Sequence, residues 1–113
     1  MSEQLAQLEK KGGGSGAFEM LTQANMTSTY TFTKSIKKAL LVCFSNTDGG
    51  RSPSFTITTS INRTQIGNDL RTSGNYFRHV FAAYELNDIQ SGNTITVASP
   101  ANVEGVYGIY EVE

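Results

Sequence analysis

From residue 17 onward, apolar and polar side chains alternate along much of the chain. The clearest case is Thr27–Thr33, in which Tyr30 and Phe32 point to one side and threonines point to the other. A period of two residues is that of a β-strand with one buried face. We therefore predict a half-buried strand here. The segment before it, residues 17–26, fits either a strand or a helical turn.

Two further segments predict strands of different environments. Ala39–Phe44 is an unbroken apolar run, which is typical of a central strand covered on both faces. Ser54–Ile61 alternates, and it places Phe55, Ile57 and Ile61 on the inward side. The first segment is therefore expected in the middle of a sheet, and the second is expected to be amphipathic.

The chain between residues 62 and 86 divides into a polar part and an apolar part. Residues 62–75 are mostly polar and predict a long connection, anchored by Ile66 and Leu70. Residues 76–86 are rich in aromatic and branched side chains, which favours a strand. A helix is the alternative for this second part.

The last third of the chain predicts a short strand and a closing strand. The short strand is Thr94–Val97, and the closing strand is Val103–Val112, where Gly105 and Gly108 indicate a close backbone approach or a bulge. About six strands at spacings near ten residues, without helices between them, are typical of an antiparallel fold. We predict a mainly β domain over residues 17–113, a single antiparallel β-sandwich or jelly roll preceded by a short N-terminal helix.

The first eleven residues differ from the rest of the chain. Met1, Leu5 and Leu8 are spaced four and then three residues apart, which places them on one stripe of a helix. So short a helix is marginal in water, so it needs a partner surface, either its own body or the same helix of other copies. The narrow stripe favours a small symmetric bundle. Residues 1–11 are thus a predicted oligomerisation helix, and residues 12–16 are a glycine-rich hinge.

Composition and charge exclude several classes of protein. Thr, Ser and Asn together outnumber the charged residues, which favours strands and turns. The net charge is −1, whereas nucleic-acid binding relies on a clustered basic face. No apolar stretch approaches the roughly 20 residues that span a bilayer. We expect neither nucleic acid as a partner nor membrane insertion, and the N-terminus lacks the apolar core of a secretory signal.

Few residues could carry catalysis or bind a metal. Cys43 is the only cysteine, and its apolar neighbours predict a core side chain with a raised pKa. His79 is the only histidine, and no serine lies in a Gly-x-Ser-x-Gly context. One histidine and one cysteine do not make a usual zinc site, and the acidic residues do not follow a calcium-loop pattern. We expect no enzymatic activity, no metal and no cofactor.

Aromatic residues concentrate in the last third of the chain. This part of the chain contains Tyr76, Tyr84, Tyr107 and Tyr110, together with Phe77 and Phe81. Aromatic rings with Asn and Asp residues nearby are used to bind sugars or protein surfaces. A small β-domain without tryptophan also needs aromatic rings in its core. These tyrosines are candidate surface-binding residues where they face outward.

Several segments resemble one type of viral protein. Residues 30–33, 39–42, 89–97 and 106–110, together with the helical stripe and hinge, look like small bacteriophage or prophage fibre-type or capsid-decoration proteins. Residues 89–97 are also similar to a step common in jelly rolls, including trimeric tumour-necrosis-factor-like heads, with Asn93 where many have Asp. None of these segments is specific to one family.

The resemblance implies a homotrimeric virion component without catalytic residues. It would be a tail fibre or receptor-binding tip, or a head fibre or decoration protein. It would be assembled in the bacterial host cytoplasm, with other virion proteins and a host-surface glycan or receptor as partners. The alternative is a monomeric carbohydrate-binding β-sandwich module. A hydrolase that depends on His79 is the least favoured hypothesis.

Overall fold

The computed structural model describes residues 19–47, 54–73, 77–100 and 103–112, and within these residues it contains strands and no helix. Eight strands follow one another along the chain: β1 (Glu19–Asn25), β2 (Ser28–Thr31), β3 (Ile36–Thr47), β4 (Thr56–Thr59), β5 (Asn62–Ser73), β6 (Phe77–Ile89), β7 (Thr94–Ala98) and β8 (Glu104–Glu111). The described part of the protein is therefore mainly β, as predicted.

The strands form two antiparallel sheets. One sheet has five strands in the order β1-β8-β3-β6-β5, and the other has three in the order β2-β7-β4. Every pairing within them is antiparallel. The chain passes from one sheet to the other at most connections, so strands that are neighbours in sequence mostly lie in different sheets.

The inner faces of both sheets contribute to one hydrophobic core. Leu41 and Ile109 come from the five-stranded sheet, Ile95 and Val97 come from the three-stranded sheet, and all four are fully buried. The burial alternates along β7 because inward isoleucine and valine are separated by threonine. The core therefore forms where the inward positions of the two sheets meet.

The predicted alternating strands are confirmed. Tyr30 and Phe32 face the core, where their rings make an edge contact at 4.9 Å, while the neighbouring threonines are exposed. Phe55 and Ile57 pack partly buried against the core, and Ile61 is buried. Period-two patterns thus identified both strands because each has one face in contact with the core.

The prediction of a long connection over residues 62–75 is wrong. Residues 62–73 form β5, which pairs with β6 from Asn62↔Asn87 to Ser73↔Phe77. The strand lies at the edge of its sheet, so backbone pairing to one neighbour holds it without an inward apolar row. Its register shifts between Gln65 and Gly67, and Ile66 at this bulge is exposed instead of anchoring the segment.

Both segments for which the sequence allowed either a helix or a strand are strands in the structure. Residues 19–25 form β1, and residues 77–89 form β6, so the helical alternative is wrong for both. The predicted N-terminal helix, with Met1, Leu5 and Leu8, and the hinge at residues 12–16 lie outside the described residues. They remain predictions.

The connections between strands divide into two groups at opposite ends of the molecule. At one end, which we name the base, lie Glu19, Val112 and the connections β2–β3, β4–β5 and β6–β7. At the other end, which we name the tip, lie the β1–β2 connection, the last residues of β3, β5 and β7, and the first residues of β4, β6 and β8. The antiparallel pairing fixes this division, because successive strands run in opposite directions.

Candidate functional site on the outer face of the five-stranded sheet

The outward faces of the two sheets differ in chemistry. On the three-stranded sheet the outward side chains are mainly threonines, and Thr29 and Thr96 form a hydrogen bond between their hydroxyl groups at 2.7 Å. On the five-stranded sheet the outward side chains in the central rows of β8, β3 and β6 are mainly apolar, with polar residues toward both ends and on the edge strands. We name this second surface the outer face. It is formed by the outward side chains of β1, β8, β3, β6 and β5.

The large apolar side chains that are most exposed gather on the outer face. Among the described side chains these are 38–57% exposed, and they are Met20, Phe44, Ile66, Phe81 and Val106. Four of them hold outward positions in the strand register, and Ile66 at the bulge of β5 lines the same groove as Leu40 and Glu85. The exposed large apolar side chains are therefore concentrated on one surface of the described structure.

The strand register builds the outer face from aligned rows. The apolar row nearest the tip is centred on Phe44, which lies between Phe81 on β6 and Val106 on β8. In the next row Val42 lies between Ala83 and Gly108. Directly opposite residues in an antiparallel pair have Cβ atoms about 5 Å apart, so these side chains are neighbours on a continuous surface.

The next row toward the base adds an aromatic ring and the charged Glu85. Leu40 lies between Glu85 and Tyr110, and Tyr110 is opposite Met20 on the edge strand. A Cβ at Gly108 would lie 3.0 Å from the Tyr110 ring, so the glycine lets the ring lie over the strand. Gly108 is thus approached closely by a side chain of its own strand, and this contact shapes the face.

β3 explains both a success and an error of the sequence analysis. β3 is the central strand of the five, with two strands on each side of it in the sheet, as the apolar run Ala39–Phe44 predicts. The prediction that both its faces are covered is wrong: Leu41 and Cys43 are fully buried, whereas Phe44 is exposed on the outer face. The outward half of the run has no described part of the chain packed over it.

His79 lies at the tip side of the outer face. Its ring stacks on Phe44 with the centroids 5.6 Å apart and the planes at 26°. The Nδ1 atom is buried and has no hydrogen-bond partner among the described residues. The ring therefore supports the Phe44 side chain from the tip side.

A cleft of about 530 Å³ opens where the outer face meets the tip. Phe44 and Val106 give it an apolar wall, and the polar side chains at its edge are Asn25, Asn46 and Glu104. Asn46 and Glu104 are directly opposite each other on β3 and β8. The cleft combines one aromatic ring with hydrogen-bonding groups.

The base side of the molecule carries two ion pairs. Lys34 Nζ lies 2.8 Å from Glu111 Oε1, and Lys38 Nζ lies 3.7 Å from Glu85 Oε2. The hydrogen bond and charge of Glu111 raise the pKa of Lys34 above its ordinary value. Both pairs balance charge near the base, and the rows through Phe44 and Val42 have no charged residue on β1, β8, β3 or β6.

The predicted tyrosine set is divided by the structure. Tyr107 is only 2% exposed, so the prediction that it could bind at the surface is wrong; its inward position lets the ring fill the core. Tyr84 also faces inward and is partly buried, and this burial raises its pKa. Tyr110 lies on the outer face. Tyr76 lies outside the described residues.

The outward aromatic residue that the sequence did not single out is Phe44, which lies opposite Phe81 of the aromatic group in the last third of the chain. These two residues are far apart in sequence, and only the β3–β6 register brings them opposite each other. The sequence does contain a signal for Phe44. Alternate residues of an apolar strand must point away from the core in a two-layer fold, and Phe44 is one of these alternate residues of β3.

Cys43 behaves as its sequence context predicts. It is a free, fully buried thiol, and burial raises its pKa to about 12. A thiol of this kind is a poor nucleophile, because the thiolate is the reactive form. Within the described residues no group of three or more His, Cys, Asp or Glu side chains is placed to hold a metal ion. No helix in that part of the chain is suited to cross a membrane.

Known proteins provide no neighbour for this chain. No family model, no curated protein and no solved structure matches it. The function has to be inferred from the outer face, the cleft and the two ends of the molecule.

Proposed function

We propose that this protein is a non-enzymatic structural component of a phage-type particle, an oligomeric β-domain attached at its base and displayed at its tip. The observation that carries the proposal is the separation of the two ends. Residues 1–18 precede Glu19, which lies on the base, while the ends of β1, β3, β5 and β7 lie at the tip. A tethered display domain needs this polarity, since the tether must not obstruct the presented loops.

Oligomerisation belongs to the same proposal. The stripe of Met1, Leu5 and Leu8 associates copies of the chain, with a trimer favoured, and residues 12–16 uncouple this bundle from the bodies. Joining several weakly binding tips on one assembly raises their combined affinity for a surface, because later contacts form at high effective concentration.

The proposed fold in full is a jelly-roll sandwich preceded by the short helix. The pairing of β1 with β8 and of β3 with β6 in one sheet, and of β2 and β4 with β7 in the other, supports it. Such nesting of early strands between late ones is expected when eight strands wind into two sheets. β5 extends the larger sheet as its edge.

The proposed partners follow from the two ends. Other virion proteins, of the tail or of the head, bind the N-terminal segment at the base, and a host-surface glycan or receptor meets the tip. The location is the virion, after assembly in the bacterial host cytoplasm. No cofactor is part of the proposal.

The mass of the full chain in solution tests the oligomeric part. The wild type is expected at three times its 12.3 kDa chain mass. Replacing Leu5→Asp together with Leu8→Asp puts charge on the stripe and is expected to weaken assembly. The matched control, Ala6→Asp with Gln7→Asp, adds the same charge elsewhere on the helix, which turns about 100° per residue, and leaves assembly intact.

Two results would contradict this proposal. One is a wild-type chain that remains at the single-chain mass. The other is equal assembly of the stripe variant and the wild type, which would leave residues 1–11 without the proposed role.

The second candidate function is a carbohydrate-binding module, and the cleft at the tip favours it. The Phe44 ring and the polar groups of Asn25, Asn46 and Glu104 are the kinds of group that bind sugars. This candidate predicts a monomer that binds a glycan, with binding lost in Phe44→Ala and retained when Leu5 and Leu8 are replaced. A screen of immobilised glycans with these variants separates the two functions.

A further inference from the structure

We infer that the outer face of the five-stranded sheet is the surface on which a second copy of this chain docks. The inference rests on the proposed oligomer and deepens it, because it names a contact in the body that is separate from the stripe of residues 1–11.

The first ground is the apolar character of the face. The five most exposed large apolar side chains among the described residues all lie there, and Leu40, Val42 and Tyr110 fill the space between them. Soluble monomers rarely expose a continuous apolar patch of more than a few hundred Å². The face therefore has the composition of an interface core.

The second ground is size. Five strands about 4.8 Å apart give a width of about 24 Å, and the outward positions from Lys38 to Asn46 span about 27 Å at about 3.4 Å per residue. The planar area is then about 650 Å², before the relief of the side chains is counted, against about 800 Å² per partner in a stable interface. The face is thus within the range of about 600–1,000 Å² that one partner contributes to a standard interface, near its lower end.

The third ground is charge. The rows through Phe44 and Val42 contain no charged residue on β1, β8, β3 or β6, and their one charged register position is Asp69, opposite Phe81 on the edge strand β5. Glu104 lies at the tip end, and Glu85 at the base end is paired with Lys38. Further copies therefore meet no charge on β1, β8, β3 and β6 in these rows, and in an assembly of three the outer faces of all copies can meet around a common axis, apolar surface against apolar surface.

The chain's own N-terminal segment is a poorer occupant. As a helix, eleven residues would be about 16 Å long and about 10 Å wide, so they would cover about a quarter of the face. Its stripe has only three apolar side chains, Met1, Leu5 and Leu8. A body of the same chain covers the whole face.

The test compares full-length variants by sedimentation over a range of concentrations. Phe81→Lys with Val106→Lys places two charges at the centre of the face. The matched control, Thr31→Lys with Thr58→Lys, adds the same two charges to exposed positions on the three-stranded sheet. We expect the first pair to weaken association by about tenfold or more, since desolvated apolar anchors dominate interfaces, and the control pair to leave it unchanged.

A second pair of substitutions guards against loss of folding. Phe81→Thr with Val106→Thr removes the large apolar groups but keeps β-branched side chains, which suit a strand. Far-ultraviolet circular dichroism checks that each variant is folded. We expect weaker association for this pair as well.

The outcomes separate this inference from the proposed function. Equal association of the wild type and both outer-face pairs overturns the inference, even if the Leu5 and Leu8 variant dissociates. Weaker association of the outer-face pairs supports it, even if the Leu5 and Leu8 variant assembles normally, which would contradict only the proposed role of the stripe. A third outcome is a monomeric wild type whose outer face binds a hydrophobic dye only after Leu5 and Leu8 are replaced. This result would show that the N-terminal segment covers the outer face, and it would overturn the inference.

Discussion

At the residue scale, a short hydrogen-bond chain at the tip fixes the buried Tyr107. Ser28 Oγ donates to the carbonyl oxygen of Asn25 at 2.7 Å, and it lies 3.0 Å from Tyr107 Oη. A serine hydroxyl has one hydrogen, so Tyr107 must donate to Ser28. The tyrosine thereby fills the core and still satisfies its hydroxyl group.

Two substitutions test this chain of hydrogen bonds. Tyr107→Phe removes a donor and is expected to lower the free energy of unfolding by about 1 kcal/mol. Ser28→Ala leaves the buried Tyr107 hydroxyl without its partner and is expected to cost more, about 1–3 kcal/mol. Urea unfolding of both variants measures the difference. A larger loss for Tyr107→Phe than for Ser28→Ala would show that the hydroxyl group is not held in this way.

Cys43 gives a prediction on reactivity and pH. Its pKa is raised by burial from 9.0 to about 12, so the folded state favours the protonated thiol. The stability that this preference contributes is complete below pH 9.0 and is lost as the pH rises through about 12. At about pH 8 we expect the native thiol to resist a disulfide reagent that labels the urea-unfolded chain at once. Equal labelling rates in the two states would contradict this account.

At the scale of the elements, β3 joins a buried face and an open face in one strand. Leu41 points into the core and is fully buried, while Val42 points to the outer face and is partly exposed. Leu41→Ala is expected to lower the free energy of unfolding by about 2–5 kcal/mol, because it leaves a cavity. In dilute, dissociated protein, Val42→Ala is expected to cost about 1 kcal/mol or less.

The concentration dependence of this pair checks the docking of a second copy. When the protein is associated, Val42 is covered, so the cost of Val42→Ala should rise with protein concentration while that of Leu41→Ala changes less. Thermal unfolding at several concentrations gives both values. A Val42→Ala cost as large as that of Leu41→Ala in dilute protein would mean that the outer face is covered within one chain.

How far the sequence predicts these elements depends on which face contacts the core. Tyr30, Phe32 and Ile57 show their strands directly, because inward apolar positions alternate with threonine. β5 has no such pattern: Gln65 and Asn68 occupy inward positions at the sheet edge, where backbone pairing decides the structure. Local patterns cannot report that pairing, so the polar segment was assigned to a connection.

The candidate site was less predictable than the fold, for a related reason. Phe44, Phe81 and Val106 belong to three strands and form one surface only through the β6–β3–β8 register. No local spacing in the sequence brings them together. Tyr107 illustrates the converse error, since its aromatic character indicated binding while its position on β8 places it in the core.

At the scale of the whole molecule, the proposal combines two associating parts with one presenting end. In this proposal the N-terminal stripe is tethered through Glu19 at the base, the outer face runs along the side of the body, and the tip lies at the opposite end from Glu19. Two weak contacts within one assembly reinforce each other, because forming the first raises the effective concentration for the second. An assembly held in this way keeps the tips free to meet a common surface.

The most direct test of this account is the mass of the full-length wild-type chain at sedimentation equilibrium. The account predicts an assembly of three chains, each of 12.3 kDa, that dissociates towards smaller species on dilution. A mass of 12.3 kDa at every concentration, including the highest that remains soluble, would contradict it.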